Sequence, residues 1–343
     1  MTGNGSLPPS GVSSVVLNVT VTEPTTASFL TAWPTGVTLP LAANLNFVAG
    51  QTVANLVVVK VGDGGRVSLY NYSGSTHVVA DVAGYHLEPG YSGGAEYTSL
   101  VPNRILDTRY GVGAPAAPLG PAATLGLQVT GRGGVPMSGV AAVVLNVTVT
   151  EPTATSFLTA WPDGVDRPIA SNINYVPGQT VPNLVVVMVD DGGRVNLYNQ
   201  AGSTHLVADV AGWFGLNVDW APGYSGLTPT RILDTRFGVG VPAAPVGPGS
   251  AIDLQVTGRG GIPATGVSAV VLNVTVTQPT ATSFLTAWPT GLPFPLAANL
   301  NYVPNLTVPN LVVVKVGAGG RISLYNNSGS THLVADVAGW YSG

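Results

Sequence analysis

The chain has no cysteine and few charged side chains. Of its 343 residues, none is Cys and only 8% are Asp, Glu, Lys or Arg, against roughly 25% in a typical globular protein. Without cysteine, neither a disulfide framework nor a thiolate metal site can form. The net charge of −4 comes with no basic cluster, which argues against nucleic-acid binding because that requires a Lys/Arg footprint.

Long apolar runs are also absent. No stretch of 18 apolar residues occurs, so we predict no insertion into a membrane. Residues 1–9 show neither a charged n-region nor an apolar h-region, so no signal peptide is visible. The chain does contain 45% hydrophobic residues, 45 Gly and 28 Pro. An apolar fraction large enough for a core, with this many turn residues, indicates short strands joined by tight turns.

Internal repetition organises the chain. The segment Val15–Thr22 returns as Val143–Thr150 and Val270–Thr277, and segments that begin at Ser28, Asn55 and Ser75 return at the same spacing. The period of about 127 residues is the size of a complete sandwich or barrel domain. We therefore predict an all-β fold of three tandem β-sandwich or barrel-like modules. They are the first repeat (1–87), the second repeat (97–215) and the third repeat (224–343), separated by linkers 88–96 and 216–223.

One recurring block occurs only twice. It is the hexapeptide Arg-Ile-Leu-Asp-Thr-Arg, here called the RILDTR segment, at Arg104–Arg109 and Arg231–Arg236. The first repeat has no copy of it. Either the start of the chain is shortened, or the block is a joint between repeats. A joint would leave the first repeat with an exposed edge that a neighbouring chain or a missing segment could cover.

A period of two runs through the recurring segments. Leu17, Val19 and Val21 face one side of the predicted strand, as in a half-buried sheet. The segment Leu56–Val61, apolar except for Lys60, predicts a strand that is buried on both faces. About eight short strands fit into one repeat, and frequent Pro and β-branched residues oppose a helix.

A His and an Asp recur four residues apart, as His77 and Asp81 in the first repeat. Their equivalents are His205, Asp209, His332 and Asp336. In a strand this spacing places the two Cα atoms about 13 Å apart, too far for direct pairing. No Ser, Cys or further carboxylate completes a triad at a fixed spacing, so we predict a structural role and no enzymatic activity.

The RILDTR segment is the densest charge cluster. Its charged residues are Arg104, Asp107 and Arg109, repeated as Arg231, Asp234 and Arg236. A carboxylate can accept two bonds from one guanidinium, so we predict a structural pin in which Arg104 or Arg109 pairs with a buried Asp such as Asp81 or Asp107. Binding of an anionic sugar by the two Arg is the alternative.

Aromatic residues and asparagines that recur in each repeat are the remaining candidates for ligand binding. Trp33, Trp161, Trp288, Tyr70, Tyr198 and Tyr325 are predicted either to pack in the core or to stack on a sugar ring. Asn18, Asn44, Asn46 and Asn55 are predicted to saturate backbone groups in turns and at bulges. A Ca²⁺ site would need more carboxylates, so we predict no metal and no cofactor.

The chain resembles a repeat module of secreted actinobacterial proteins. The resemblance lies in Val15–Thr22, Gly178–Val187, Gly64–Asn71, His205–Trp213 and the RILDTR segment. It implies export and a non-catalytic accessory role. Family members often carry a Cys pair. One Cys of the pair follows the Trp-Pro or Tyr-Pro turn, where this chain has Thr35, Asp163 and Thr290. The other lies in the Arg-Val-x-Leu-Tyr strand, where this chain has Ser68, Asn196 and Ser323. The resemblance therefore implies that packing compensates for a missing disulfide.

Together these patterns predict a secreted or cell-surface protein without enzymatic activity. Low charge, repetition and an open first repeat favour a structural or adhesive array that self-associates through sheet edges. The alternative is a carbohydrate- or cell-wall-binding accessory module whose partner is a cell-surface glycan.

Overall fold

Strands make up nearly all the regular structure. The computed structural model describes residues 2, 7–88, 91, 95–215 and 223–343. In this part of the chain there are 22 strands and two short 3₁₀ turns, so the all-β prediction is confirmed. None of the helical segments found there is long and apolar enough to cross a membrane.

The strands follow one order in every repeat. In the first repeat they are β1 (Val12–Thr22), β2 (Ser28–Pro34), β3 (Leu45–Phe47), β4 (Val53–Lys60), β5 (Val67–Asn71) and β6 (His77–Leu87). In the second they are β7 (Tyr97–Asp107), β8 (Ala123–Gln128), β9 (Val140–Thr150), β10 (Ser156–Pro162), β11 (Ile173–Tyr175), β12 (Val181–Met188), β13 (Arg194–Asn199) and β14 (His205–Gly215). In the third they are β15 (Tyr224–Asp234), β16 (Ser250–Gln255), β17 (Val267–Thr277), β18 (Ser283–Pro289), β19 (Leu300–Tyr302), β20 (Val308–Lys315), β21 (Arg321–Asn326) and β22 (His332–Ser342).

These strands form six antiparallel sheets. The second repeat contains the sheets β12-β9-β14-β7 and β11-β10-β13-β8, and the third contains the equivalent sheets β20-β17-β22-β15 and β19-β18-β21-β16. In the first repeat the sheets have only three strands each, β4-β1-β6 and β3-β2-β5. Among the described residues, neither first-repeat sheet has the outer strand that the RILDTR-containing part of the chain supplies elsewhere.

Each repeat has an apolar core drawn from both of its sheets. In the second repeat, for example, Leu145 of β9 and Leu197 of β13 belong to one buried cluster. The clusters of the second and third repeats contain 20 and 21 buried residues, and the first-repeat cluster contains 12. The smaller core follows from the two missing strands, whose apolar side chains complete the other two cores.

A fourth cluster is shared by all three repeats, and it explains the apolar run in β4. Val57 and Val59 point into the first-repeat core, whereas Leu56 and Val58 point into the shared cluster. Leu184 and Leu311 occupy the position of Leu56 in the other two repeats. Strand β4 is therefore buried on both faces from Leu56 to Val59, as this run of apolar residues predicts.

Six asparagines close a cycle around this shared core. The Nδ2 atom of Asn55 donates to Oδ1 of Asn273 at 3.0 Å, that of Asn183 to Asn18 at 3.0 Å, and that of Asn310 to Asn146 at 2.9 Å. Each of the three donors also accepts a backbone N–H from another repeat, at Leu311, Leu56 and Leu184. The first repeat is thereby bonded to the third, the third to the second and the second to the first. We call this arrangement the asparagine cycle.

Polar pairs occupy the positions at which the resembling family often carries cysteines. The Oγ atoms of Thr35 and Ser68 lie 2.9 Å apart, and Thr290 and Ser323 repeat this distance. In the second repeat, Nδ2 of Asn196 donates to Asp163 at 2.9 Å. A hydrogen bond thus links the turn after β2, β10 or β18 to strand β5, β13 or β21 in each repeat.

A buried hydroxyl in the first repeat permits a stabilising substitution. Ser14 is fully buried, and its Oγ atom has no hydrogen-bond partner in the described part of the chain. The equivalent residues are Ala142 and Ala269. Because an unsatisfied buried polar group costs about 1–3 kcal/mol, we expect Ser14→Ala to raise the free energy of unfolding by about 1 kcal/mol in a urea titration. The control is Ser13→Ala, whose Oγ donates to backbone oxygens and whose removal should destabilise; stabilisation by both would contradict this explanation.

Candidate interaction surface

The RILDTR segment pins an outer strand to the larger sheet. In the second repeat, Arg104 lies opposite Asp209 on the neighbouring strand β14. Its Nε and Nη2 atoms donate to the two carboxylate oxygens at 2.9 and 3.2 Å. Arg109 makes a second paired contact with Asp107, at 2.9 and 2.8 Å. Arg231, Asp336, Arg236 and Asp234 repeat the geometry in the third repeat.

The two carboxylates of this pin have opposite pKa shifts. Burial raises the pKa of Asp209, and the bonds from Arg104 offset the rise only in part. Burial also opposes the charge of Asp107, but the side-chain and backbone bonds from Arg109, with the charges of Arg109 and Arg104, lower its pKa. Asp336 and Asp234 show the same two directions. Asp209 is therefore the carboxylate that depends most on its guanidinium.

A threonine of the RILDTR segment adds two further contacts between the outer strand and its neighbour in the larger sheet. The Leu206 N–H donates to Oγ1 of Thr108 at 2.9 Å. That hydroxyl lies 3.0 Å from Nδ1 of His205, so its own proton is free to point at the ring. Thr235 makes the same contacts with Leu333 and His332. His205 and His332 thus help to hold the outer strands β7 and β15 in place.

The loop before β8 closes the smaller sheet. Nδ2 of Asn199 lies within bonding distance of the carbonyl oxygens of Leu119 and Gly120, at 3.1 and 3.0 Å. Asn326 does the same with Val246 and Gly247. One asparagine at the end of β13 or β21 therefore recognises the chain that leads into the covering strand.

The first repeat leaves this whole surface uncovered. Among the described residues, no strand pairs with the outer edges of β5 and β6. Val82 is 49% exposed, whereas its equivalents Val210 and Val337 are 0% exposed. The other large apolar side chains exposed on this surface are Leu69, Val78, Val79 and Tyr85. We call these five side chains, with the two free strand edges, the open face.

The polar groups that hold the outer strands elsewhere lack those partners here. Asp81, the equivalent of Asp209, has no bonded arginine in the described part of the chain, and burial raises its pKa. His77 contacts Glu23 at 3.8 Å instead of a threonine. Asn71 bonds Gly74 as its equivalents bond theirs, but the carbonyl pair that Asn199 bonds is missing. The open face thus keeps the recognition groups of a covered sheet without the cover.

The predicted aromatic candidates lie on the smaller sheets. The indole N–H groups of Trp33, Trp161 and Trp288 donate to backbone oxygens four residues further along the chain, at 2.9 to 3.1 Å. The guanidinium of Arg167 covers the ring of Tyr198 at 3.8 Å, and Phe294 packs against Tyr325. Tyr70 lies beside Phe29. The second- and third-repeat tyrosine rings are therefore already in contact with side chains of this chain.

The geometry gives no support for a metal site or for an ion pair between Arg104 and Asp81. The described residues contain no group of three His, Cys, Asp or Glu side chains placed to hold a metal ion. Arg104 is bonded to Asp209 and Asp107, and not to Asp81 as one of the predicted alternatives proposed. The sequence signal for the open face was the absence of the RILDTR segment from the first repeat, but its exposed side chains could not be identified without the sheet order.

Comparison with known proteins does not assign the chain to a family. No family model matches the chain, and no curated protein matches it. Two solved structures are similar in part: a chain from the atomic structure of Sulfolobus Turreted Icosahedral Virus, and one from a structure that describes the triple jelly roll fold and turret assembly in an archaeal virus. Their identities are 10% and 9%, they cover 96% and 97% of this chain and 80% of their own, and the TM-scores are 0.20 and 0.19. Similarity at these TM-scores carries no argument about this protein.

Proposed function

We propose that this is a non-enzymatic structural or adhesive protein, secreted or displayed on a cell surface, that associates with other polypeptide chains through the open face. In this proposal each repeat is one β-sandwich, and the three sandwiches stand around the shared core. The two sheets and the separate apolar cluster of each repeat support this description. The surface location rests on the low charge and on the resemblance described above.

The open face is the observation that carries the proposal. Two free strand edges offer unpaired backbone groups, which are a template for strand addition from another chain. Exposed valines flank these edges, so strand addition would also bury apolar surface. Two copies could pair their β6 edges around a twofold axis, because an antiparallel edge is complementary to itself. This is the simplest route to self-association.

Sugar binding has less support from the geometry. A sugar ring stacks on an aromatic face that is free of other contacts, and the faces of Tyr198 and Tyr325 are in contact with Arg167 and Phe294. The indole N–H groups are used internally as well. We therefore retain self-association and not glycan binding as the proposed partner interaction.

Sedimentation velocity over a range of protein concentrations tests the proposal. We expect reversible association of the unmodified protein and at least a tenfold weaker association of Val82→Lys, because a lysine at an edge opposes strand addition. The control is Val303→Lys, which changes an equally exposed valine, 48% against 49%, outside the open face. A monomer at every concentration, or equal weakening by both variants, would contradict the proposal.

A further inference from the structure

The second and third repeats show what fits the open face. Each holds an outer strand on its larger sheet and a second outer strand on its smaller sheet, β7 with β8 and β15 with β16. Each repeat thus has one acceptor surface, formed by the edges of its two sheets to which the outer strands add. The described chain has three such surfaces and two strand pairs to cover them. Exchange of strand pairs between copies would not change that count, because each exchanged pair uncovers the surface it leaves. Among the described residues, the third acceptor therefore has no strand pair that covers it.

From this we infer that the open face binds a polypeptide segment that carries an Arg-Ile-Leu-Asp-Thr-Arg strand followed by a second strand, with its first arginine on Asp81. The inference rests on the proposed function, since it names the partner class of the same surface. The ligand of the open face is then a strand pair of the type seen in residues 97–128.

Three polar contacts specify this occupant. Its first arginine would meet Asp81 as Arg104 meets Asp209, through two parallel N–H···O bonds. Its threonine hydroxyl would accept the Val78 N–H and face the ring of His77, as Thr108 does with Leu206 and His205. Two carbonyl groups before its second strand would accept from Asn71. A generic apolar strand would satisfy none of these groups.

The neighbouring repeat supplies one wall of the acceptor. Val101–Arg104 of the second repeat line a cavity together with Pro295 and Leu296 of the third. The equivalent loop beside the open face contains Pro168 and Ile169, and Ile169 is fully exposed. The loop is in place because Nδ2 of Asn18 donates to the carbonyl oxygen of Ser171 at 2.6 Å. The wall against which the incoming strand would pack is therefore already built.

Binding of a synthetic peptide to the full chain tests the inference. The probe is a fluorescent peptide with the sequence of residues 97–128, and its anisotropy is followed in dilute protein, where self-association is minimal. We expect saturable one-to-one binding. We also expect slower hydrogen exchange of the β6 amides, His77–Leu87, in the complex, because strand addition gives their free N–H groups acceptors.

The Asp81 contact is tested by a double-substitution cycle. We expect Asp81→Asn in the protein to weaken binding about tenfold or more, and the peptide change Arg104→Met to do the same, since a paired carboxylate and guanidinium make the strong type of hydrogen bond. Combined, the two changes should cost little more than either one. The control is Asp191→Asn, which removes an exposed carboxylate of the second repeat and should leave the affinity unchanged.

The outcomes separate the inference from the proposed function. Absence of saturable binding at the highest soluble peptide concentration, or binding that Asp81→Asn does not weaken, overturns the inference. If the protein nevertheless self-associates and Val82→Lys prevents this, the proposed function survives without the named partner class. If the peptide binds as described while the protein alone stays monomeric, the partner class stands and self-association is wrong.

Discussion

Asn183→Leu should destabilise the protein by about 3–6 kcal/mol. The substitution keeps the branched shape and the number of side-chain heavy atoms but leaves three groups without this partner: the Leu56 N–H, the carbonyl oxygen of Asn172 and Oδ1 of Asn18. The Leu56 N–H and Oδ1 of Asn18 lie at a boundary between repeats from which water is excluded, because Leu56, Asn18 and Asn183 are each at most 2% exposed; the carbonyl oxygen of Asn172 is partly buried. An unsatisfied buried group costs about 1–3 kcal/mol, and three groups at about 1–2 kcal/mol each, in the lower part of that range because one is only partly buried, give the expected total. Urea unfolding followed by tryptophan fluorescence measures the change.

The cyclic arrangement gives this prediction two internal checks. Asn55→Leu and Asn310→Leu remove the equivalent bonds at the other two boundaries, so they should cost similar amounts. Asn103→Leu changes an exposed asparagine and should alter the free energy of unfolding by no more than about 0.5 kcal/mol. A loss below about 1 kcal/mol at all three cycle positions would show that the asparagine cycle does not hold the repeats together.

Arg104→Met should cost about 3–5 kcal/mol, because it leaves the carboxylate of Asp209 buried without its guanidinium. The deficit should depend on pH. Burial already raises the pKa of Asp209, and removal of Arg104 raises that pKa further. The folded variant then binds a proton more tightly than the unfolded chain. Its stability therefore falls as the pH rises from the unfolded pKa of about 3.9 through the raised folded pKa.

The full deficit of Arg104→Met is consequently expected at neutral pH, and a smaller one in mild acid. Thermal unfolding of both proteins across the acidic range measures it. The double variant Arg104→Met with Asp209→Leu should recover much of the loss, since removal of both charges leaves no ion buried alone. A double variant as unstable as the single one would mean that lost packing of the arginine stem, and not the stranded charge, causes the effect.

Alternation of apolar residues was sufficient to predict the strands and much of the core. Leu17, Val19 and Val21 lie in the first-repeat core, as their common face predicts. The Leu56–Val61 run predicted burial on both faces, and Leu56 to Val59 are buried in two different clusters. These predictions succeed because the side-chain period of a strand depends only on local geometry.

The partners of the polar residues could not be predicted in the same way. Asn44 does saturate a backbone group nearby, the Ala32 N–H, as predicted for the asparagines. Asn55 likewise bonds the nearby carbonyl oxygen of Asn44. Asn18 and Asn55 also bond residues far away in sequence and in other repeats, and no spacing rule states which repeat lies opposite which. Similarly, the charge pattern of the RILDTR segment indicated an ion pair, but the choice of Asp209 as partner of Arg104 depends on the strand order.

The asparagine cycle also sets how many repeats can close around the shared core. Each repeat presents one donor asparagine to a neighbour and one acceptor asparagine to the other, so a third unit closes the series and a fourth would have no place. The specificity of this closure lies in side chains on β1, β4 and their equivalents. A closed set of three is thus encoded in six amide groups.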